Sequence, residues 1–165
     1  MYELLEYSNI YEQSTLDLIL EIQQKEFGFY LEVEHQEELK TLNTYFKKNH
    51  SQFWVIFEDK TLTNLIGCIG LKVIDYIGIV KKMYIKKEYR GRHLGVSTLL
   101  MDTVLKHALK YQLSYLCLGT NDELISAKRF YEKNDWKKIN RDDLPENILS
   151  AFNIADNVIY KYDLS

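Results

Sequence analysis

Apolar residues at helical spacing predict two helices in the first third of the chain. In residues 9–27, Leu16, Ile19 and Leu20 recur close to the 3.6-residue period that buries one face of a helix. Residues 35–48 show a second amphipathic pattern of the same kind. Gly28 lies between the two patterns and is expected to end the first helix.

Apolar and β-branched runs predict strands before and through the middle of the chain. The run 53–59 is apolar and aromatic, and a polar turn separates it from the β-branched runs 65–75 and 76–85. Short connections favour antiparallel neighbours, so these three strands are expected to form a meander. A short run at 2–7 supplies an earlier strand.

The second half of the chain alternates between helix and strand patterns. A helical stripe over 94–111 leads to a buried-type strand at 114–119, and this order predicts a parallel crossover from the preceding strand. Another helix is predicted over 122–134, with Thr120 and Glu123 at capping-box spacing. Two final strands are predicted at 135–139 and 157–164. The whole pattern is typical of an α/β domain with a mixed sheet.

The composition is that of an ordinary globular domain. The chain has 165 residues, 46% of them hydrophobic and 27% charged, which is enough for one domain with a core. The net charge of −3 argues against binding to nucleic acid or to an anionic membrane, and no apolar run reaches the roughly 18 residues of a membrane span. The first residues carry acids rather than the basic and apolar regions of a secretory signal, so we expect a cytoplasmic protein. Cys68 and Cys117 lack the spacing of a metal site or a disulfide framework, so no metal is expected, and a homodimer is left open.

Glycines and basic residues crowd the start of the helix at 94–111. Arg90 and Gly91 are followed by Arg92, and Gly95 comes directly before the apolar stripe. A helix N-terminus leaves amide groups unpaired and favours negative charge, and glycine lets the backbone approach a ligand closely. The stretch therefore predicts a phosphate-binding loop. No Lys follows Gly95, and G-x-G-x-x-G is absent, which argues against a P-loop-like nucleotide enzyme.

The run Arg90-Gly91-Arg92-His93-Leu94-Gly95 resembles the R-x-x-G-x-G/A signature of the GCN5-related N-acetyltransferases, the GNAT family. It follows a strand ending in KKMYI, as the pyrophosphate loop of that family does. His93 stands where the family has its first glycine, and a side chain there is expected to point to solvent. The phrases QQKEFG and CLGTNDELISAKRFYEKN resemble a bacterial GNAT subgroup of unassigned substrate.

A second stretch carries the same resemblance. Ala127 and Tyr131 match the family pattern A-x-x-x-Y-x-x-x-G-F, whereas Asp135 and Trp136 replace its last two residues. Leu124 stands where many members have asparagine, and the nearby Asn121 is a candidate replacement.

The resemblance implies the fold and a division of the chain. It implies a single N-acetyltransferase domain over 1–165, with a mixed, mostly antiparallel sheet of about seven strands flanked by helices. Strands 4 and 5 are expected to splay apart and open a slot. Residues 1–50 are expected to supply acceptor-side helices, 53–139 the acetyl-CoA-binding core and 140–165 a C-terminal strand region.

The resemblance also implies site residues. Acetyl-CoA is the expected donor, with its pantetheine arm pairing with backbone groups at the end of the fourth strand and Tyr131 acting as general acid on the leaving thiolate. Glu26 and Phe27 are candidates to line the acceptor pocket. The predicted cofactor-binding residues are Met83, Tyr84, Ile85, Arg90, Gly91, Arg92, His93, Leu94, Gly95, Val96, Asn121 and Ala127. Cys117 is expected to be a core residue, and His93 and His107 to be solvated.

Two functions follow from these expectations. The first is an N-acetyltransferase that moves acetyl from acetyl-CoA to a primary amine by direct attack in a ternary complex. The second is a non-catalytic acyl-CoA-binding or sensing module on the same fold. The presence of Tyr131 favours the enzyme. The sequence leaves the acceptor open between small molecules and proteins, and it identifies no general base.

Overall fold

A mixed sheet of seven strands lies at the centre of the computed structural model, which describes residues 1–26, 28, 36–153 and 156–164. The strands are β1 (Glu3–Glu6), β2 (Gln52–Phe57), β3 (Leu65–Ile74), β4 (Ile77–Ile85), β5 (Tyr115–Thr120), β6 (Lys137–Ile139) and β7 (Val158–Asp163). They lie in the order β1-β2-β3-β4-β5-β7-β6, so the last strand of the chain inserts between β5 and β6. The predicted α/β fold with a mostly antiparallel sheet is confirmed.

The pairs β1–β2, β2–β3 and β3–β4 are all antiparallel, which confirms the meander. Strands β3 and β4 are joined by a two-residue turn in which Asp75 and Tyr76 both have positive φ, 50° and 64°. Positive φ at both turn residues matches the right-handed twist of a hairpin. The tight turn explains why β3 and β4 stay paired over most of their length.

A β-bulge interrupts β4 close to its end. Cys68 pairs with Tyr84 and Gly70 pairs with Lys81, so Ile69 faces two residues of β4 rather than one. Lys82 lies in this bulge with a φ of +56°, and its carbonyl oxygen accepts a hydrogen bond from the Cys68 thiol at 3.2 Å. Side chains of consecutive strand residues normally point to opposite faces. The bulge lets two consecutive lysines reach the same side of the sheet.

The parallel pair β4–β5 is short. Ile77–Ile79 pair with Tyr115–Cys117, and no further pairing joins the two strands among the described residues. Helix α4 (Val96–Lys110) makes the crossover between them. The predicted splay between the fourth and fifth strands is therefore confirmed, and it begins directly after Ile79.

The helices cover both faces of the sheet. The remaining ones are α1 (Glu12–Glu21), which continues into a π-helical turn at Ile22–Glu26, α2 (Glu37–Lys40), α3 (Leu42–Tyr45), α5 (Ile125–Lys133) and α6 (Glu146–Leu149). Helices α4 and α5 pack on one face through buried residues such as Leu100 and Tyr131. Helices α1 and α3 pack on the opposite face, as does α6 through Ile148. No helix among the described residues is long and apolar enough to cross a membrane.

Two local predictions were wrong. The single helix expected over 35–48 is two short helices, because Thr41 takes φ −143° and ψ 59° between them. The capping box expected at Thr120 and Glu123 does not form, because Thr120 ends β5 and α5 begins only at Ile125. In its place the Asn121 carboxamide oxygen accepts a hydrogen bond from the Glu123 amide at 2.9 Å.

Candidate active site

The splay between β4 and β5 opens a cleft of about 1020 Å³. One wall is the second half of β4, and the other is the end of β5 with α5. The start of α4 and the loop before it close one end, and polar side chains of the α1–α2 region close the other. The cleft therefore joins the predicted phosphate loop to a polar pocket on the opposite face of the sheet.

The phosphate loop is shaped by two glycines with positive φ. Gly91 has φ +118° and Gly95 has φ +72°, a conformation that side chains with a Cβ rarely adopt. Gly95 is the N-cap of α4, no side chain caps that helix, and a Cβ on Gly95 would meet nothing within 4 Å. The first turn of a 15-residue helix thus presents its amides to open space, as anion binding requires.

The two arginines of the loop have different surroundings. Arg90 donates from Nε to the Ile85 carbonyl at 2.7 Å, and its two terminal nitrogens bind both carboxylate oxygens of Glu26 at 2.7 and 2.9 Å. Arg92 is exposed and makes no hydrogen bond or ion pair with the residues that the structure describes. Of the two, only Arg92 has a guanidinium without a partner in the described part of the chain.

The other predicted cofactor residues lie on both walls of the cleft or in the loop at its end. Met83 and Tyr84 line it with Ile85, where β4 has no strand neighbour on the β5 side. Asn121 and Ala127 line the opposite wall. His93 is exposed, as expected. Val96 is buried in the core, and the Leu94 amide already donates to the Gly91 carbonyl at 3.1 Å. The Val96 side chain and the Leu94 amide are therefore not available to a cofactor, and these two residues could contact it only through other atoms.

Tyr131 lies in α5 at the wall of the cleft. Its ring packs against Trp136 and Tyr160, with centroid distances of 5.9 and 5.7 Å. Its hydroxyl makes no hydrogen bond with any described residue. Burial, helped by the nearby Asp156 carboxyl, raises the pKa of Tyr131 to about 12, so the hydroxyl keeps its proton at neutral pH. A protonated hydroxyl in a cleft wall is suited to donate to a ligand atom.

A buried polar network fills the other end of the cleft. Its ionic part consists of Lys81, Lys82 and Glu38. The ammonium nitrogens of Lys81 and Lys82 lie 3.4 and 3.1 Å from the same carboxylate oxygen of Glu38. Lys82 also donates to the Gln36 carboxamide at 2.7 Å, and Lys81 donates to the Ala151 carbonyl at 2.5 Å. All three charged side chains are at least 90% buried.

Two glutamines extend this network from α1 to β4. The side chains of Gln23 and Gln36 exchange two hydrogen bonds at 3.0 and 2.8 Å, and Gln23 donates to the Tyr84 hydroxyl at 2.8 Å. The segments involved lie far apart in the sequence, so only the fold brings them together. The structure therefore supplies a built polar site that the sequence motifs did not indicate.

Burial and the neighbouring charges have opposite effects on the pKa values of Glu38 and Lys82. Burial disfavours the charge of Glu38, but the ammonium groups of Lys82 and Lys81 outweigh burial and lower its pKa. Burial lowers the pKa of Lys82, and Glu38 opposes that shift. Each charge thus depends on its partners, as buried ion pairs do.

Asp156 faces the same cleft from the segment before β7. A Cβ on Gly119 of β5 would lie 2.7 Å from the Cβ, Cγ and Oδ2 atoms of Asp156, so the carboxyl sits directly on the glycine. Its Oδ2 accepts a hydrogen bond from the Asn153 amide at 2.9 Å. Burial raises the pKa of Asp156, although Lys81 and Lys82 act in the opposite direction.

Several residues singled out from the sequence do not line the cleft. Glu26 binds Arg90 beside the loop and does not line the cleft, and Phe27 lies outside the described residues. Cys117 is fully buried and burial raises the pKa of its thiol to about 12, which fits a core residue. His107 was expected to be solvated, but it is half-buried, 2.6 Å from the His50 carbonyl oxygen and edge-on to Trp54.

One sequence signal for the polar pocket was present and was not used. Lys81 and Lys82 interrupt an otherwise apolar strand run, and adjacent lysines in a buried strand need partners. Gln23, Gln36, Glu38, Gly119 and Asp156 give no comparable local signal. No group of three or more His, Cys, Asp or Glu side chains in the described part of the chain is arranged to hold a metal ion.

Comparison with known proteins decides the family. A model of the acetyltransferase (GNAT) family matches residues 16–136, which is most of the chain. The chain belongs to the GNAT family. The matched segment begins in α1 and ends at Trp136, so it includes both walls of the cleft.

Two solved structures and one curated protein resemble this GNAT chain. A GNAT acetyltransferase from Staphylococcus aureus is 31% identical, with a TM-score of 0.88 and complete coverage of both chains. An acetyltransferase from Streptococcus agalactiae is 26% identical, with a TM-score of 0.87 and 98% coverage of both. The probable N-acetyltransferase camello from Xenopus laevis is 24% identical over 145 residues, 84% of this chain. The chain spans 65% of the length of that relative.

The structure explains one departure from the GNAT motif. Asp135 replaces the family's glycine and has φ +69°, a left-handed conformation that glycine adopts more easily. Aspartate is among the few other residues that tolerate this region. The turn between α5 and β6 therefore keeps its geometry, and the Trp136 amide still donates to the Tyr131 carbonyl at 3.1 Å.

Proposed function

We propose that the protein is an N-acetyltransferase that moves acetyl from acetyl-CoA to a primary amine by direct attack in a ternary complex. The observation that carries the proposal is the continuous cleft between β4 and β5. It links a glycine and arginine loop, suited to a pyrophosphate, with a buried polar pocket suited to a polar acceptor. Membership of the GNAT family supports acyl transfer in general.

The residues on the loop side fit coenzyme A. The first-turn amides of α4 and the Arg92 guanidinium would hold the pyrophosphate, with the open space at Gly95 leaving room for it. The free side of β4 at Met83, Tyr84 and Ile85 would pair with the amides of the pantetheine arm, as an added strand does. A distant neighbour supports this ligand: the PaiA N-acetyltransferase of Thermoplasma acidophilum, 19% identical with a TM-score of 0.71, was solved in complex with coenzyme A.

Tyr131 is the proposed general acid. Acetyl-CoA supplies an acetyl group on a thiol leaving group, and free thiols ionise near pH 8.5. The Tyr131 hydroxyl keeps its proton at neutral pH and has no other described partner, so it can donate to the leaving sulfur. In this proposal the helices before residue 50 serve the acceptor side and 53–139 bind the cofactor. The region 140–165 adds Asp156 to the pocket.

A covalent route through a cysteine is disfavoured by burial. Cys68 and Cys117 are both buried, and burial raises the pKa of each thiol to about 12. Thiolates, not thiols, are nucleophiles. Incubation with acetyl-CoA alone should leave the protein mass unchanged. An acetylated cysteine that passes its acetyl group to an amine would overturn direct transfer.

A survey of acceptors tests the proposed function. Free thiol release would be measured with acetyl-CoA and a panel of amines that includes amino acids, polyamines, aminoglycosides and peptides with free N-termini. At least one amine should accelerate thiol release, and its acetylated product should appear in equal amount. Coenzyme A binding without release for any amine would favour the sensing module. The cytoplasmic location and a homodimer stay predictions.

A further inference from the structure

Asp156 occupies a distinctive position in the cleft. Its carboxyl rests on Gly119, whose missing side chain makes room for it at the β5 wall. The Asn157 amide donates to the Thr120 carbonyl at 3.0 Å and thereby fixes the chain next to Asp156 against the end of β5. Asp156 thus lies beside the splay, on the face of the sheet that carries the polar pocket.

The surroundings of this carboxyl leave one oxygen available. Oδ2 accepts from the Asn153 amide, whereas Oδ1 has no hydrogen-bond partner among the described residues. Arg141 binds the Asp156 backbone carbonyl at 3.3 Å and does not bind the carboxyl. The charged or titratable groups that act on Asp156 or respond to it are Lys81, Lys82, Glu38, Tyr84 and Tyr131.

Other groups are less suited to accept a proton in the pocket. The acidic residues that line the described cleft are Glu123 and Asp156, and Glu123 is exposed on the loop before α5. Glu38 is ion-paired with two lysines, which favour its charged form over its protonated form. Burial raises the pKa of Tyr84, so its hydroxyl stays protonated near neutral pH and is not available to take a proton from the acceptor.

We propose, resting on the proposed function, that Asp156 binds the acceptor ammonium through Oδ1 and takes its proton. The neutral nitrogen then forms the C–N bond to the acetyl carbonyl carbon as the C–S bond breaks. Tyr131 gives its proton to the sulfur and is reprotonated from water. Asp156 passes the first proton to water, and the second nitrogen proton leaves once the amide has formed. One proton is released overall for each acetyl group transferred.

The first test is Asp156→Asn with the acceptor that gives the highest kcat/KM in the amine survey. Asparagine keeps the size and the Asn153 hydrogen bond but cannot take a proton. We expect kcat/KM to fall about 10²-fold at pH 7, the lower end for acid–base catalysis. The deficit should shrink towards pH 9.5, because solution then supplies free amine. Coenzyme A affinity should be unchanged.

The control is Asp163→Asn, which removes an exposed carboxylate from β7. It should leave kcat/KM and its pH profile unaltered. A loss in Asp156→Asn that is the same at every pH would indicate a structural role and overturn the proposal, as would wild-type activity.

A second variant moves the carboxyl without removing it. Gly119→Ala places a methyl group 2.7 Å from three Asp156 atoms, so the side chain must shift. Its activity should fall, and adding Gly119→Ala to Asp156→Asn should cause little further loss, because both act through one group. Fully additive losses would contradict that interpretation.

A binding measurement does not depend on turnover. Protein labelled at the aspartate carboxyl carbon with ¹³C would be loaded with coenzyme A and titrated with n-propylammonium chloride, and the Asp156 signal would be identified by its absence in Asp156→Asn. The signal should shift with the probe and titrate with a pKa above the roughly 3.9 of an unperturbed aspartate. An unresponsive signal overturns the proposal. If no amine is acetylated, the proposed function fails, and this titration still decides whether Asp156 binds an ammonium.

The pH dependence of thermal stability provides an independent test of the protonation of Asp156. Burial raises the pKa of the Asp156 carboxyl in the folded chain above its value in the unfolded chain. The folded state therefore binds more protons between the two pKa values, and the free energy of unfolding falls as pH rises through that window. Asp156→Asn has no carboxyl and lacks this pH-dependent decrease in stability. The difference in Tm, variant minus wild type, should therefore increase from acidic to neutral pH. The opposite trend would show that the folded state disfavours the protonated carboxyl, and it would overturn the proposal that Asp156 takes the proton.

Discussion

The two ends of the cleft are built in opposite ways. The loop end depends on a short run of sequence, with glycines at positive φ and a first helical turn that no side chain caps. The pocket end depends on buried charged side chains from α2 and β4, the glutamines of the α1–α2 region and the segment before β7. Under the proposed function, cofactor binding at the loop depends on local sequence, whereas acceptor binding in the pocket depends on tertiary structure.

Energetics also separate the two ends. The Arg90–Glu26 pair beside the loop is partly exposed, with side-chain exposures of 36% and 26%, and pairs of this kind contribute about 1 kcal/mol or less. The pair of Glu38 with two lysines is almost fully buried, so each charge was desolvated and depends on the others. Loss of one charge should therefore be tolerated at the loop and damaging in the pocket.

The largest expected effect is on stability in the pocket. Glu38→Gln would leave two buried ammonium groups without their carboxylate and should cost about 3 kcal/mol in the free energy of unfolding at pH 7. Glu26→Gln is the matched control and should cost about 1 kcal/mol or less. Denaturant unfolding of both variants measures the difference, and equal costs would remove the contrast between the two ends.

The pH dependence of this effect has a definite sign. Because the pKa of Glu38 is lowered in the folded state, its contribution is complete above the unfolded pKa of roughly 4.3. It is lost as pH falls through the folded pKa. The stability gap between wild type and Glu38→Gln should therefore be constant near neutrality and shrink below about pH 4.

A smaller expected effect is on chemistry at the wall between the two ends. Tyr131→Phe keeps the ring and its packing against Trp136 and Tyr160 but removes the hydroxyl. We expect kcat to fall about 10²-fold, or about 2.7 kcal/mol, with coenzyme A affinity almost unchanged. Thiol release and calorimetry on the same preparation would measure both quantities. Wild-type kcat in a chemistry-limited assay would show that Tyr131 only packs.

The smallest expected effect is on affinity at the loop. Gly95→Glu would put an anion and a Cβ at a left-handed position where the pyrophosphate is expected, and coenzyme A affinity should fall at least tenfold, or about 1.4 kcal/mol. Gly95→Asn is the matched control, because asparagine tolerates positive φ and adds no charge. Gly95→Asn should lose less coenzyme A affinity than Gly95→Glu. Unchanged affinity in folded Gly95→Glu would place the cofactor elsewhere.

The sequence by itself determined the features that depend on local pattern. The β-branched runs gave the meander, and the strand–helix–strand order gave the parallel β4–β5 pair. The glycines of the loop and the motif around Tyr131 identified one end and one wall of the cleft. The meander and the parallel pair were predicted correctly because periodicity and turn chemistry act over a few residues.

Only the tertiary structure decided the pocket. The bulge at Lys82 turns two consecutive lysines to one side of the sheet, and nothing in the strand pattern specifies a bulge there. The insertion of β7 beside β5 brings Asp156 onto Gly119, which lies 37 residues earlier in the chain. Hydrogen bonds and ion pairs between distant segments form only when the whole core has packed. For that reason the partners of Lys81 and Lys82 in the polar pocket, unlike the residues of the loop, could not be found from the sequence.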